Sequence, residues 1–340
     1  MLQQVMTAPG VIQFREVPTP QPQPGEVLVK IMKIGVCGSD IHVYHGEHPF
    51  TKYPITQGMR SPARLRPGRG GHRVHLGPEG DHSAPGGVRQ VLALPPRQVQ
   101  LCEELKVMGF QTTGVASHYF AVDAKKVTPL PEGMSFDEGA MIEPLAVAVH
   151  AVRQAGGRGG QGYLRCWGGP HRHFGGPSGQ GLGARKVMVT DVSDIRLEKA
   201  RECGADVCVN TRKEDFAQAF VQCFGPDKAD VIYDCAGNNV TMGQAIANAR
   251  KGSTIILVAV FATRGNIDLA VLNDHELDLN TSMMYRNEDY LAAIELVNQG
   301  KVQLKPLISK HFAFQDYLKA YQYIDENRET TMKVIINVQE

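Results

Sequence analysis

KVMVTDVSDIRLEKARECGADVCVN, residues 186–210, decides the fold. KVMVT is a short apolar run without alternation, the pattern of a strand covered on both faces. Asp191 ends it. Ser193 or Asp194 caps a helix over SDIRLEKARECGA, and Gly204 closes that helix. ADVCVN follows as a second strand, and ADVIYDCAG and GSTIILVAV are further apolar strands, separated by helical segments such as NVTMGQAIANARKG. Strand and helix alternating in this way predict a doubly wound parallel sheet. Downstream, NEDYLAAIELVNQGKV, KHFAFQDYLKAYQYIDEN and MKVIINV read helix, helix, strand. Upstream the texture differs. VIQFREV and GEVLVKIMKIGV read as strands broken by the turn-rich PTPQPQPG. KVTPLPEGMSFDEGAMIEPLAVAVHAVRQAG passes from a loop into a helix that starts at Ser135 with acids at Asp137 and Glu138. No internal repeat occurs.

A chain of 340 residues with 42% hydrophobic residues can build two sizeable cores. A formal net charge of +1 gives no support for nucleic acid or an anionic membrane as the main partner. The opening MLQQVMTAPG lacks a basic region and an apolar stretch, so it does not read as a secretion signal. No apolar run reaches the ~18 residues of a membrane span. Seven cysteines, an odd number, point to free thiols or metal ligands rather than a disulfide framework. A cytoplasmic protein is the expectation.

Three short motifs carry chemistry. GVCGSDIH sets Cys37, Ser39, Asp40 and His42 in a loop after a strand. A thiolate is a strong zinc ligand, and a hydroxyl and an imidazole can relay a proton, yet a lone cysteine is as readily a buried apolar residue. IEPLAVAVHA places Glu143 on an apolar helix, as a charge favoured by the dipole or as a ligand. Asp191, ending KVMVT, can accept hydrogen bonds from an adenosine ribose or serve as a turn acid.

In order and spacing, GVCGSDIH, GAMIEPLAVAVHA, KVMVTDVSDIRLEKARECGAD, VIYDCAGN and LKPLISKHF resemble the zinc-dependent medium-chain dehydrogenases, nearest the polyol branch that includes sorbitol dehydrogenase. The resemblance implies a GroES-like β-rich catalytic domain over 1–150, a Rossmann domain over 151–286, and a return to the catalytic domain over 287–340. It implies Zn²⁺ and NAD as cofactors, with Cys37, Glu143 and, in a structural zinc lobe, Cys102 as metal ligands. Ser39 would touch the substrate oxygen, His42 would relay its proton, and Tyr285 would face the substrate. Asp191 and Arg196 would contact the adenosine ribose, while Val258, Ala259, Val260, Met283 and Met284 would border the nicotinamide. The implied reaction is hydride transfer from a secondary alcohol of a polyol or sugar-derived substrate to NAD, with threonine or a sugar acid as alternative substrates. A homodimer or homotetramer is implied, with no nucleic acid and no membrane.

Two stretches break the pattern. No Lys occurs between Lys52 and Lys106, and Arg, Gly, Pro and His crowd residues 59–100. The same texture fills 157–181. The family expects a Gly-His-Glu, a four-cysteine lobe and a G-x-G-x-x-G turn there. Instead Gly58 is followed by Met59 and Arg60, only Cys102 remains of the lobe, and WGGPHRHFGG, with Gly168 and Gly169, does not make the fingerprint. Reading the codons out of frame recovers all three. GMRSPARL, written GGC ATG AGG TCT CCG GCG AGA TTG and started on the last base of the first codon, gives His-Glu-Val-Ser-Gly-Glu-Ile. Started on the second base, Val88/Arg89, Val91/Leu92 and Leu94/Pro95 each give Cys, ahead of Cys102 in frame. CWGGPHRHFGG, started likewise, gives Ala-Gly-Ala-Gly-Pro-Ile-Gly. Compensating frameshifts, in the gene or in its sequencing, account for both stretches. The alternative is low-complexity loops in a catalytically dead relative that acts as a binding or structural protein. The intact patterns on either side still predict the β domain and the parallel sheet.

Overall fold

A computed structural model of the chain describes residues 1–59, 61–66, 73–76, 99–102, 105–156, 163–167, 184–261 and 264–339. The rest of the two Arg/Gly/His-rich stretches lies outside the described residues. So do Gly168, Gly169 and the positions 88, 91 and 94 that the shifted frame reads as Cys. The chain divides into two compact units, Met1–Glu143 with Ile308–Glu340, and Pro144–Leu307.

In the first unit, β1 (Leu2–Ala8) and β2 (Val11–Glu16) form an antiparallel hairpin. Strands β3 (Glu26–Ile31), β4 (Lys33–Gly35), β5 (Ser61–Arg66), β6 (Arg73–Leu76), β7 (Tyr119–Asp123) and β8 (Val127–Pro129) follow. All but β4 build a five-stranded antiparallel sheet in the order β7-β3-β5-β6-β8. On β3 the alternation that the sequence shows becomes geometry, because Val29 and Ile31 point to one face and are wholly buried. Helix α1 (Gly38–His45) follows β4, and α2 (Phe136–Gln154) carries the chain out of the unit at Pro144.

The second unit is a parallel sheet. Its strands are β9 (Tyr163–Trp167), β10 (Lys186–Asp191), β11 (Val207–Asn210), β12 (Val231–Asp234), β13 (Thr254–Leu257) and β14 (Asp278–Thr281). They run in the order β11-β10-β9-β12-β13-β14. The order reverses between β9 and β12, which makes the doubly wound topology expected from residues 186–210. Helices α3 (Asp194–Glu202), α4 (Phe216–Phe224), α5 (Asn239–Asn248), α6 (Leu269–Asp274) and α7 (Asn287–Asn298) alternate with the strands or follow them. Ser193, Asp215, Asn238 and Asp268 cap four of these helices with their side chains. The unbroken apolar runs now have their cause. Met188, Ile232 and Ile255 pack into one core, and their neighbours Val187, Val189, Val231, Tyr233 and Ile256 into the other, so each strand is covered on both faces.

After Leu307 the chain returns to the first unit. Strands β15 (Ile308–Ala313) and β16 (Lys333–Asn337) pair in parallel, and β16 pairs antiparallel with β4. Between them α8 (Tyr317–Glu326) buries Tyr317, Ala320 and Tyr321, a helical i, i+3, i+4 stripe, in the core that also holds Ile34 and Cys37. No helix among the described residues is long and apolar enough to cross a membrane.

Candidate active site

In the first unit the site grows from the junction of β4 and α1. Cys37 is the N-cap of α1, in extended backbone, and its N–H donates to Asp40 Oδ2 at 2.8 Å. Cys37 and Asp40 are both buried. A helix start that must leave a strand abruptly satisfies its first amide with this carboxylate. Ser39 is half-buried on the first turn. His42, one turn on, is exposed, and its Nδ1 pairs with Glu47 Oε2 at 3.0 Å. That hydrogen bond holds the Glu47 carboxyl below its ordinary value.

A buried polar network supports the turn from below. Gln57 Nε2 donates to the Asp40 carbonyl at 3.2 Å, and Tyr321 Oη donates to Gln57 Oε1 at 2.9 Å. Burial, then the neighbouring Tyr317 and Asp40, push the Tyr321 hydroxyl well above its ordinary value, so it stays a donor. Sequence reasoning did not single out Gln57 or Tyr321, because neither stands in a motif.

Glu143 is buried on α2. Gly35 brings this helix alongside the cysteine loop, since a Cβ there would meet the Ala140 carbonyl oxygen at 2.9 Å. Gly35 precedes Cys37 by two residues, and Ala140 sits about one helical turn before Glu143. Gly58 holds a left-handed φ of +88° and packs within 3.2 Å of Ala116 N by its would-be Cβ. The next residue, where the resemblance calls for an imidazole, is Met59, and its side chain is buried in the apolar core. Cys102 is half-buried. Among the described residues no group of three or more His, Cys, Asp or Glu could hold a metal ion.

In the second unit the expected cofactor residues fall along the carboxyl ends of the strands. Asp191 ends β10, buried, and its Oδ1 accepts from the N–H groups of Val192 and Ser193 at 2.5 and 2.9 Å. Arg196 is half-buried on the first turn of α3. Val258 and Ala259 follow β13, and their N–H groups donate to the Asp234 carbonyl at 2.9 and 3.1 Å. Val260 is 85% and Met283 is 55% exposed. Met284 takes a positive φ of 52°. Tyr285 is buried against Tyr290, with ring centroids 5.8 Å apart. Asp234, which sequence reasoning passed over, ends β12 wholly buried, and its Oδ1 accepts from Ala236 N, Gly237 N and Thr241 Oγ1. A second residue pair also went unread. His150 Nδ1 lies 2.7 Å from Asp289 Oδ2, both buried, and the same oxygen accepts from Arg286 N at 2.9 Å. This ties the start of α7, just after Tyr285, to α2.

Comparison with known proteins agrees with this arrangement. An alcohol dehydrogenase GroES-like domain model matches residues 23–132, and a zinc-binding dehydrogenase model matches 180–299, beginning where the second Arg/Gly/His-rich stretch ends. Sorbitol dehydrogenase 1 of Saccharomyces cerevisiae is 31% identical over 96% of this chain and 94% of its own. The 2-dehydro-3-deoxy-L-galactonate 5-dehydrogenase of Pseudoalteromonas atlantica is 30% identical over 93% of this chain and 92% of its own. Among solved structures, an Escherichia coli oxidoreductase of unknown specificity superposes with a TM-score of 0.90 at 25% identity, covering 100% of this chain and 99% of its own. Matches at this identity over almost the whole chain, on a GroES-like unit and a doubly wound sheet, show that the chain belongs to the zinc-dependent medium-chain dehydrogenases, enzymes that work with zinc and NAD.

Proposed function

We propose that this dehydrogenase oxidises a secondary alcohol of a polyol or sugar-derived substrate and passes the hydride to NAD. Two similar proteins, named for sorbitol and for a dehydro-deoxy sugar acid, support that substrate class. The reading further takes the protein to be a cytoplasmic homodimer or homotetramer.

At the adenosine-ribose end the residues suit NAD. Asp191 stands at the end of β10, where a carboxylate accepts from the ribose diol and repels a 2′-phosphate, with Arg196 close in sequence as a second contact. NAD, when bound, supplies the hydride acceptor. Val258, Ala259, Val260, Met283 and Met284 would border its nicotinamide, and Tyr285 would line the substrate side. Ser39 would take the proton of the substrate alcohol. His42, three residues on and so on the same helix face, would pass it to water.

Zinc is another matter. A catalytic zinc takes three protein ligands and an open position. The described residues offer the Cys37 thiol and the Glu143 carboxylate, with the Met59 thioether where an imidazole is needed. This set does not fit the ion. Met59 therefore favours a second reading, a catalytically silent relative that binds NAD without turning over alcohols.

The test is NADH formation by the purified, zinc-supplemented protein on sorbitol, xylitol, galactitol, a hexonate and threonine. Turnover of a polyol or sugar acid supports the reading. Bound NAD with no turnover on any of them supports the silent relative.

A further inference from the structure

The mismatch at Met59 has company. In the first unit, β5 is the middle strand of five. Pro62 lies within it, opposite His75 of β6. A proline in a central strand supplies no N–H to the ladder and is otherwise confined to edges and bulges. Two residues on, Arg64 stands directly opposite Lys30 of β3 on one side and Arg73 of β6 on the other. Residues of like charge at opposed register positions disfavour strand pairing. In the second unit, Arg165 occupies β9, an inner strand of the parallel sheet, opposite Met188 and Ile232. Both of these are wholly buried. Inner strands of such sheets are near-continuous hydrophobic runs.

One change removes all of these conflicts. In the shifted frame of the first stretch, position 59 becomes His, position 62 becomes Ser and position 64 becomes Glu. The proline leaves the central strand, and the residue opposite Lys30 becomes an acid of opposite sign. In the second stretch, an Arg165 codon started on its second base and completed by the first base of Cys166 encodes Val, Ala, Gly or Asp, never a cation. The strand registers were no part of the codon reading, so they are an independent check on it.

We propose that residues 59–100 and 157–181 derive from coding sequence read out of frame. The strand conflicts carry this inference, and it does not depend on the polyol reading.

Peptide mass mapping of the protein purified from its natural source tests the proposal. Peptides carrying the shifted residues at 59–66 and 162–175 are expected. Peptides matching Met59-Arg60-Ser61-Pro62 and Tyr163-Leu164-Arg165 would overturn it. Urea unfolding of both recombinant chains is a second arm. The in-frame chain should unfold cooperatively at the higher midpoint, and equal midpoints would overturn the claim that the strand conflicts come from the reading frame. An in-frame, zinc-loaded chain inactive on every alcohol tested would instead sink the polyol reading and leave the frame proposal intact.

Discussion

Tyr321→Phe should loosen the Cys37 turn from the far end of the chain. The hydroxyl it removes is wholly buried and donates to Gln57 Oε1 at 2.9 Å. Gln57 in turn holds the Asp40 carbonyl at 3.2 Å, and Asp40 holds Cys37 N at 2.8 Å. Without the hydroxyl, Gln57 Oε1 is left in the core without that donor, at a cost of ~1–3 kcal/mol. Gln57→Leu orphans the other side of the same bond and should cost a similar ~1–3 kcal/mol. The double variant Tyr321→Phe/Gln57→Leu replaces a buried polar pair by apolar groups of similar shape. Its cost should fall short of the sum of the singles by ~1 kcal/mol or more. Urea unfolding of the four proteins at a common m-value reads the global term. The local term is read by the alkylation rate of Cys37. If the strain is released by opening the turn, each single variant should react roughly five- to hundredfold faster than the parent, and the double no faster than Gln57→Leu alone, which already removes the contact to Asp40. Cys203 and Cys208 serve as silent controls, since burial pushes their thiols up to about 12 and about 11. Strictly additive costs, with Cys37 reactivity unchanged in both single variants, would refute the claim that Tyr321 positions the cysteine through Gln57.

How much of this was legible in the sequence depends on how local each interaction is. KVMVT announced β10 because a strand covered on both faces must be apolar at every position, and Val187 to Val189 proved so. Ser135 announced α2 because its capping partner is three residues away, and Glu138 Oε2 accepts from both Ser135 N and Ser135 Oγ. Asp191 ends a strand that the apolar pattern announced, whereas Met283 and the Val258–Val260 run came from the resemblance and follow β14 and β13. The pair of Tyr321 and Gln57 is separated by 264 residues, and that of His150 and Asp289 by 139. Each member is unremarkable among its neighbours, so no window of sequence could have joined them. The strands β5 and β9 show the opposite case. Their residues argue against strand, with Pro62 and Arg165 inside, yet the neighbours β3, β6, β10 and β12 fix their place in the sheets.

Three further outcomes test the site and the frame that carries it. Cys37→Ser in the in-frame, zinc-loaded chain should abolish turnover, because a hydroxyl is a poor zinc ligand at neutral pH, and an active variant would remove Cys37 from the metal. Asp191→Ala should narrow the preference for NAD over NADP, and catalytic efficiencies that favour NADP in the parent would reverse the role given to this carboxylate. The last concerns acid. Burial raises the Asp137 carboxyl, but Lys33 at 2.6 Å and His311 at 3.0 Å outweigh it, so its folded value lies below the ordinary 3.8. A carboxyl depressed in the folded state binds fewer protons there than in the unfolded chain. Its contribution is therefore complete above 3.8 and is lost as pH falls through the lower folded value. Asp137→Asn should then destabilise the protein at neutral pH while flattening the stability loss below pH 3.8, read by urea midpoints across an acid series. The partly exposed setting keeps the neutral-pH cost small, in the range of ~0–1 kcal/mol that screened surface pairs reach. An Asn variant whose acid limb stays as steep as the parent's would show that other carboxylates, and not this triad joining β4, α2 and β15, set the acid stability of the first unit.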